Sequence, residues 1–407
     1  MPESPYDLVL HAARELPRVD TALAAEMLGA ALLGSVYAIA SGQREAAVRE
    51  FVEGFLAHTS RRRTGAARAI RTVFAGLVPD AAGAAKVRPG PNPPRWSAQL
   101  GRVRPVGTWA YGDVYGDQTS YLATFAYDDP AAGGAEHAVV ALVDHNIGIV
   151  KDLFVGEPAS LVLAEVRRAA DSDQLVWLSE VDPQTVRAQV SYFLAVTDQL
   201  SVLPDEGSLA TDRALAGARL ARLPAGGHQP ARSEPVDPAA LVAAFLASPF
   251  AAGLDRSGSA AETAVRYAIR LILEFTRDAP DADPLRWSPA VAGLFLLDWV
   301  HRRAVLDDTD VAVLPPVLRA WAAWAAAERG LPAVAAAGTD QEIGRLAPEL
   351  RRLHRSGERR GEAVDAMSRL LAEGVDPDDQ AALGAWLADQ AGSGHNGHGP
   401  DHIPRPR

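Results

Sequence analysis

The run Ala138-Val139-Val140-Ala141-Leu142-Val143 is apolar at every position, so any strand it forms is apolar on both faces. Such a strand is central in its sheet and needs cover on each side. Helices must supply that cover. The residues 157–170, with helical apolar spacing, are the nearest in sequence, followed by an expected strand at 175–179 and a helix opening at Asp182-Pro183, an N-cap with proline at the first helical position. Residues 106–112, 119–127 and 149–155 are β-branched or aromatic-rich and are separated by Gly, Asp and Asn clusters that make turns. With 138–144 they predict a four-strand meander or two hairpins.

On either side of this segment the apolar period is helical. Leu8, Ala12 and Leu16 form a short stripe, and 22–40, 46–55 and 66–77 read as three further helices. The segment 87–94 carries four prolines and cannot continue a helix. Between 201 and 237 the apolar period weakens, and prolines and glycines crowd into 223–238, where a linker is expected. Beyond it Asp237-Pro238, Ser248-Pro249, Ser288-Pro289 and Asp376-Pro377 repeat the cap-plus-proline helix start, and Asp307-Asp308-Thr309-Asp310 reads as an N-cap cluster. The core of this part is expected to hold Val291, Leu294, Phe295, Trp299, Val317, Leu318, Trp321 and Trp324. The fold expected is α+β and predominantly helical, with a small antiparallel or mixed central sheet flanked by helical regions. Its expected parts are a helical region 1–86, a mixed α/β domain 95–222 with four or five strands, an all-helical domain 237–391 and a disordered tail 392–407.

Composition removes several classes of function. The 407 residues include no cysteine, which excludes disulfides, thiolate metal sites and cysteine nucleophiles and fits a reducing, cytoplasmic compartment. A formal net charge of −11 argues against a general nucleic-acid binder. The charge is uneven: residues 1–100 carry 12 Lys+Arg and 9 Asp+Glu, residues 101–236 carry 10 and 18, so the two parts are expected to attract each other. Within the first part, Arg61, Arg68 and Arg71 are expected on one arc of a helix, docking on the acidic segment. Residues 22–40 approach the length of a membrane span, but they are built of Ala and Gly and contain Glu26, so a buried, closely packed helix is expected. No P-loop, zinc-protease helix, nucleophile elbow, EF-hand loop or dinucleotide-binding glycine pattern is present.

What remains is a constellation of rare residues. The chain has two lysines, Lys86 and Lys151, and three asparagines, Asn92, Asn146 and Asn396; Asn146 and Lys151 fall together around the turn that follows the central strand. Asp144 and His145 at the strand end have the chemistry of metal ligands or an acid/base pair, with Lys151 placed to stabilise negative charge. Asp113, Asp117, Asn146 and Asp152 are the candidate ligand-binding residues around them. In an antiparallel meander the 112–118 and 144–149 turns share an end of the sheet, where Asp113, Asp117, Asp144 and His145 would meet. The opposing expectation is that Asn146-Ile147-Gly148 is simply a turn, with Asn or Gly at positive φ and Asp144 as its cap. The His-rich stretch 395–402 has ligand-like spacing but sits in the expected tail.

Two stretches, Asp113-Val114-Tyr115-Gly116-Asp117-Gln118 with Leu142-Val143-Asp144-His145-Asn146, and Arg286-Trp287-Ser288-Pro289 with Phe295-Leu296-Leu297-Asp298-Trp299, give the chain a layout that resembles a family of uncharacterised proteins of high-GC actinobacteria. The resemblance implies a three-part layout and no catalytic residue. The function expected is a non-enzymatic binding or regulatory protein with a protein or small-molecule partner and neither nucleic acid nor membrane. The alternative is a metal-dependent hydrolase or related enzyme using the Asp/His cluster. No cofactor, metal identity or oligomeric state is legible.

Overall fold

The computed structural model describes residues 4–88, 90–204, 207–230, 233–234, 236–376 and 379–393. It is α+β and predominantly helical, with one antiparallel five-stranded sheet. Two compact units divide it, one of residues 1–235 with 279–283 and one of 236–278 with 284–407.

The first unit opens with α1 (Pro5–Ala12), α2 (Ala22–Ile39), α3 (Arg44–Thr59) and α4 (Gly65–Leu77). The sheet follows: β1 (Val103–Asp113), β2 (Gln118–Tyr127), the single turn α5 (Pro130–Gly133), β3 (His137–Asp144) and β4 (Ile149–Gly156). Then come α6 (Ala159–Ser172), β5 (Val176–Glu180), α7 (Pro183–Thr197) and α8 (Leu209–Leu220). The sheet order is β4-β3-β2-β1-β5 with every neighbouring pair antiparallel. The chain crosses from one edge to the other through α6.

Strand alternation divides the side chains between two layers. Ala123, Phe125, Val139, Ala141, Val143, Val150 and Leu153 belong to the large core that also holds Leu23, Leu33, Phe55 and Phe74 of the first helices and Phe193 and Leu215 of α7 and α8. Leu122, Ala138 and Val140 pack on the opposite face against Ala159 and Leu163 of α6. The 87–94 segment therefore does not separate two cores. The helices before it and the sheet after it share one.

The edge strand β4 is closed off by hydroxyl and carboxylate acceptors. Val150 N–H donates to Thr197 Oγ1 and Val155 N–H to Asp212 Oδ2, both at 2.8 Å, which satisfies amides that an exposed edge would present to another chain.

Helix α8 forms in the stretch where the apolar period weakens, because two of its inward positions are Arg213 and Arg219, 4% and 1% exposed. Small side chains bring it close to α2: a Cβ at Gly34 would sit 2.9 Å from Thr211 Cα and 3.1 Å from Ala210 O. The pair carries a buried polar knot. Arg219 Nε donates to His137 Nε2 at 2.8 Å, and Arg219 Nη2 donates to Tyr127 Oη at 2.6 Å and to Glu26. Tyr127 Oη donates in turn to Glu26 Oε2 at 2.5 Å, and Gly101 N–H to Glu26 Oε1 at 2.8 Å. Among the described residues α2 is the one helix long and apolar enough to cross a membrane, yet its Leu23, Ala25, Ala30 and Leu33 lie in the core and its one acid is fully engaged there.

The second unit is helical: α9 (Pro238–Ala247), α10 (Ser259–Asp278), α11 (Pro289–Leu294), a π-helical turn over Phe295–Trp299, α12 (Val300–Arg303), α13 (Asp308–Glu328), α14 (Ala333–Ser356), α15 (Glu362–Ala372) and α16 (Gln380–Ser393). Asp237 and Ser288 cap α9 and α11 through Ala239 N–H and Val291 N–H, and Asp307 and Asp310 form a capping box at α13. Phe245, Trp287, Phe295, Trp321 and Trp324 fill the core. Leu294, expected inside, is 42% exposed because Phe295 and Leu296 take the inward positions. Ser248-Pro249 opens a short 3-10 turn rather than an α-helix. Pro377 and residues 394–407, including His395, Asn396, His398 and most of the expected tail, lie outside the described residues.

Two measurements test the knot. Glu26→Ala strands the Arg219 charge in the core and is expected to lower the unfolding free energy by about 3–5 kcal/mol; the Glu26→Ala/Arg219→Ala double variant should lose less than the two single losses added, when all are followed by denaturant titration. Burial, with Arg219 adding to it, pushes His137 down to about 3. Its neutral form is therefore the native one: stability is complete above the unfolded pKa of about 6.5 and is lost as pH falls toward the folded value, by up to about 1.4 kcal/mol per pH unit. Between pH 6.5 and 4 the wild type should lose stability more steeply than His137→Gln, which keeps an acceptor without the titration.

Candidate functional site

The β1–β2 and β3–β4 turns do open at the same end of the sheet: Gln118 pairs with Asp144, and His145 N–H donates to Asp117 O at 2.8 Å. Their side chains are directed elsewhere. Asp113 folds its carboxylate into its own hairpin, accepting from Gly116 N–H at 2.8 Å, Asp117 N–H at 3.1 Å and Gln118 N–H at 2.7 Å. Asp144 Oδ1 accepts from Asn146 N–H at 3.0 Å and Oδ2 from Gln118 Nε2 at 3.2 Å. His145 instead reaches the adjacent residue of β2: its Nε2 lies 3.0 Å from Thr119 Oγ1, and its ring meets Phe193 edge-on at 5.5 Å. Thr119 and Gln118 are consecutive in a strand, so Asp144 and His145 serve opposite faces of the sheet.

Lys151 is the extra residue of a β-bulge, since Val143 pairs with Val150 and Leu142 with Asp152. Asp152 Oδ1 accepts from Leu153 N–H at 2.8 Å and Ser208 N–H at 3.2 Å, tying β4 to the start of α8. Asp113, Asp144, His145 and Asp152 thus turn their side chains to different partners around one sheet end and its edge. Among the described residues no group of three or more His, Asp or Glu side chains is placed to hold a metal ion. The turn chemistry accounts for Asp113 and Asp144, and the residue at positive φ is Gly148, at 71°, rather than Asn146.

A different place gathers charge around open space. A cavity of about 420 Å³ opens beside α8 in the first unit. Its lining includes small or apolar residues, Ala214, Gly217 and Ala218 along α8 and Ala221 at its end, with Val48 of α3 and Leu77 of α4. Arg213 and Arg219 stand in its wall. Arg213 donates to Glu45 Oε1 at 2.5 Å and Asp198 Oδ2 at 2.7 Å, while its buried Nε has no hydrogen-bond partner among the described residues. Tyr37 lies beneath the same guanidinium, 5.7 Å from ring centre to Cζ, and burial pushes its hydroxyl up to about 12. At the rim Arg49 and Arg222 are exposed, and neither guanidinium forms an ion pair or hydrogen bond among the described residues. Asp80 is the remaining acid of the lining.

Sequence reasoning passed over this cavity because its parts are unremarkable in isolation: arginines in an arginine-rich chain, and alanines and glycines that carry no polar signal. The one pointer was the weakened apolar period over α8, which buried arginines produce by occupying inward positions.

The turn yields a direct test. Gly148→Ala forces a side chain into the left-handed region and is expected to cost about 1–2 kcal/mol in denaturant unfolding, with Pro280 Cβ 3.5 Å from the new methyl and no clash to add.

Compared with protein-family models, with curated proteins and with solved structures, the chain matches none.

Proposed function

We propose that this is a non-enzymatic binding protein of the cytoplasm that holds a small organic anion with an apolar body in the cavity beside α8. The observation that carries the reading is a lining that joins small and apolar residues to two exposed guanidinium groups, Arg49 and Arg222, neither of which forms an ion pair or hydrogen bond among the described residues. A cavity of about 420 Å³ is within the range of small-molecule sites, which are apolar over most of their lining with a few polar groups that fix orientation. A planar guanidinium binds carboxylate, phosphate or sulfonate through two parallel hydrogen bonds.

The arginines of the lining do not exchange a proton near neutral pH, and Tyr37 is held protonated well above it, so neither acts as a general base there. The lining's carboxylates are Glu45, which is paired with Arg213, and Asp80. The rival reading, a metal-dependent hydrolase using Asp113, Asp117, Asp144, His145 and Lys151, is weakened where Asp113 and Asp144 spend their carboxylates on the backbone amides of their own turns. The lack of cysteine and the placement of α2 in the core support the cytoplasmic assignment.

Gly76 gives a clean test, because it lines the cavity and a Cβ there would meet nothing within 4 Å. Gly76→Leu fills the space while removing a glycine from a helix, which favours folding by roughly 0.5–1 kcal/mol. With anilinonaphthalene sulfonate as the probe, wild-type protein should show saturable fluorescence enhancement. Gly76→Leu should weaken binding at least tenfold at an unchanged or higher Tm, and Arg49→Gln/Arg222→Gln at least fivefold. Probe binding indifferent to Gly76→Leu would remove the reading.

A further inference from the structure

The basic residues of the first helices do not lie as the sequence led one to expect. Arg61 falls in the turn between α3 and α4, so it shares no helical arc with Arg68 and Arg71. The arginines also engage their own region: Arg62 pairs with Asp7 at 2.7 Å, and Arg71 Nη1 donates to Thr59 O and, at 3.1 Å, to Arg62 O, closing the C-terminal end of α3. Fixed there, Arg71 lines a second cavity of about 370 Å³. Lys86 and Arg88 also line it, from the segment that follows α4. Arg88 is anchored through Ala85 O and Val87 O, and Lys86 makes no ion pair or hydrogen bond through its ammonium among the described residues.

The charge at this cavity is only partly compensated. Its one acid, Glu53, already accepts Ala82 N–H at 2.9 Å, leaving three cations against one anion in the lining. Arg68, one helical turn before Arg71, is close enough for its charge to disfavour that of Arg71, in addition to burial. Arg61 and Arg63 beside it have no ion-pair partner among the described residues. Holding like charges together costs energy that an anion between them returns.

We propose that this cavity is a second anion site, distinct from the one beside α8, and that it takes an oligophosphate group. Several cations converge on a space of limited volume, and charge density at short spacing is what a chain of phosphoryl groups supplies and a single carboxylate does not. The lining contains no aromatic side chain on which a base would stack, so recognition stops at the phosphates.

The probe is inorganic triphosphate, titrated calorimetrically into the full-length protein, with orthophosphate and a single-stranded RNA oligonucleotide as comparisons. Triphosphate is expected to bind at least tenfold more tightly than orthophosphate and to weaken when NaCl is raised from about 50 to about 200 mM. Lys86→Gln/Arg88→Gln should weaken it at least tenfold, with Tm checked by thermal unfolding. Arg49→Gln/Arg222→Gln should leave it unchanged, so failure here is separable from failure at the cavity beside α8. Three results overturn the proposal: no triphosphate heat, equal affinity in the Lys86→Gln/Arg88→Gln variant, or RNA binding more tightly than triphosphate does.

Discussion

The first unit is organised around a cation that has nowhere to go. Arg219 is fully buried, and its guanidinium is shared among Glu26 of α2, Tyr127 of β2 and His137 of β3. A charge in that position is tolerated only with its hydrogen bonds completed, so these three elements have to arrive at α8 in one register. The knot thereby specifies how α2, far away in sequence, meets the sheet, which apolar contacts alone would fix less sharply. Arg213, two turns earlier on α8, repeats the device with Asp198 and Glu45. Arg44 does so without any acid, donating to the carbonyls of Tyr37, Asp198 and Leu200 and so fastening the ends of α2 and α7.

These anchored arginines explain why open space persists next to a dense core. Side chains that are immobilised by buried partners cannot collapse into a void, and the small residues along α8 leave nothing else to fill it. The same logic applies at Arg71, which is held by the end of α3 and cannot swing away from its cationic neighbours. Arg71, Arg213 and Arg219 are thus held in place around these gaps in packing, with little side-chain freedom left to lose.

Much of the architecture could be read in the sequence, and the reasons are local. The strands were legible from β-branched runs bounded by Gly and Asp, and 138–144 was legible as central because both of its faces are apolar. The Ser288 and Asp307 caps were legible because capping depends on residues three apart. What escaped depends on partners distant in the chain. Glu26 gave only a reason against a membrane span, and nothing near it announces Arg219. Asp144 and His145 looked like a pair because they are adjacent in sequence, but their partners Gln118 and Thr119 are consecutive in β2 and face opposite sides of the sheet. Lys151 looked informative because it is rare, and its backbone position in a β-bulge depends on a strand pairing that the sequence does not announce. The segment 87–94 looked like a domain boundary, since proline reports a break in a helix and cannot report whether the pieces on either side share a core.

Gly34 has a consequence that reaches beyond its own contacts. It meets the backbone of α8 directly, at Thr211 and Ala210, so it sets the distance between two helices as a spacer of zero thickness. Both Glu26, which holds Arg219, and Tyr37, which lies under Arg213, are carried on the same helix as Gly34. A methyl group there would act as a shim, lifting α2 and loosening two buried ion clusters at once. One hydrogen atom in place of a side chain thus sets the helix spacing on which both clusters depend.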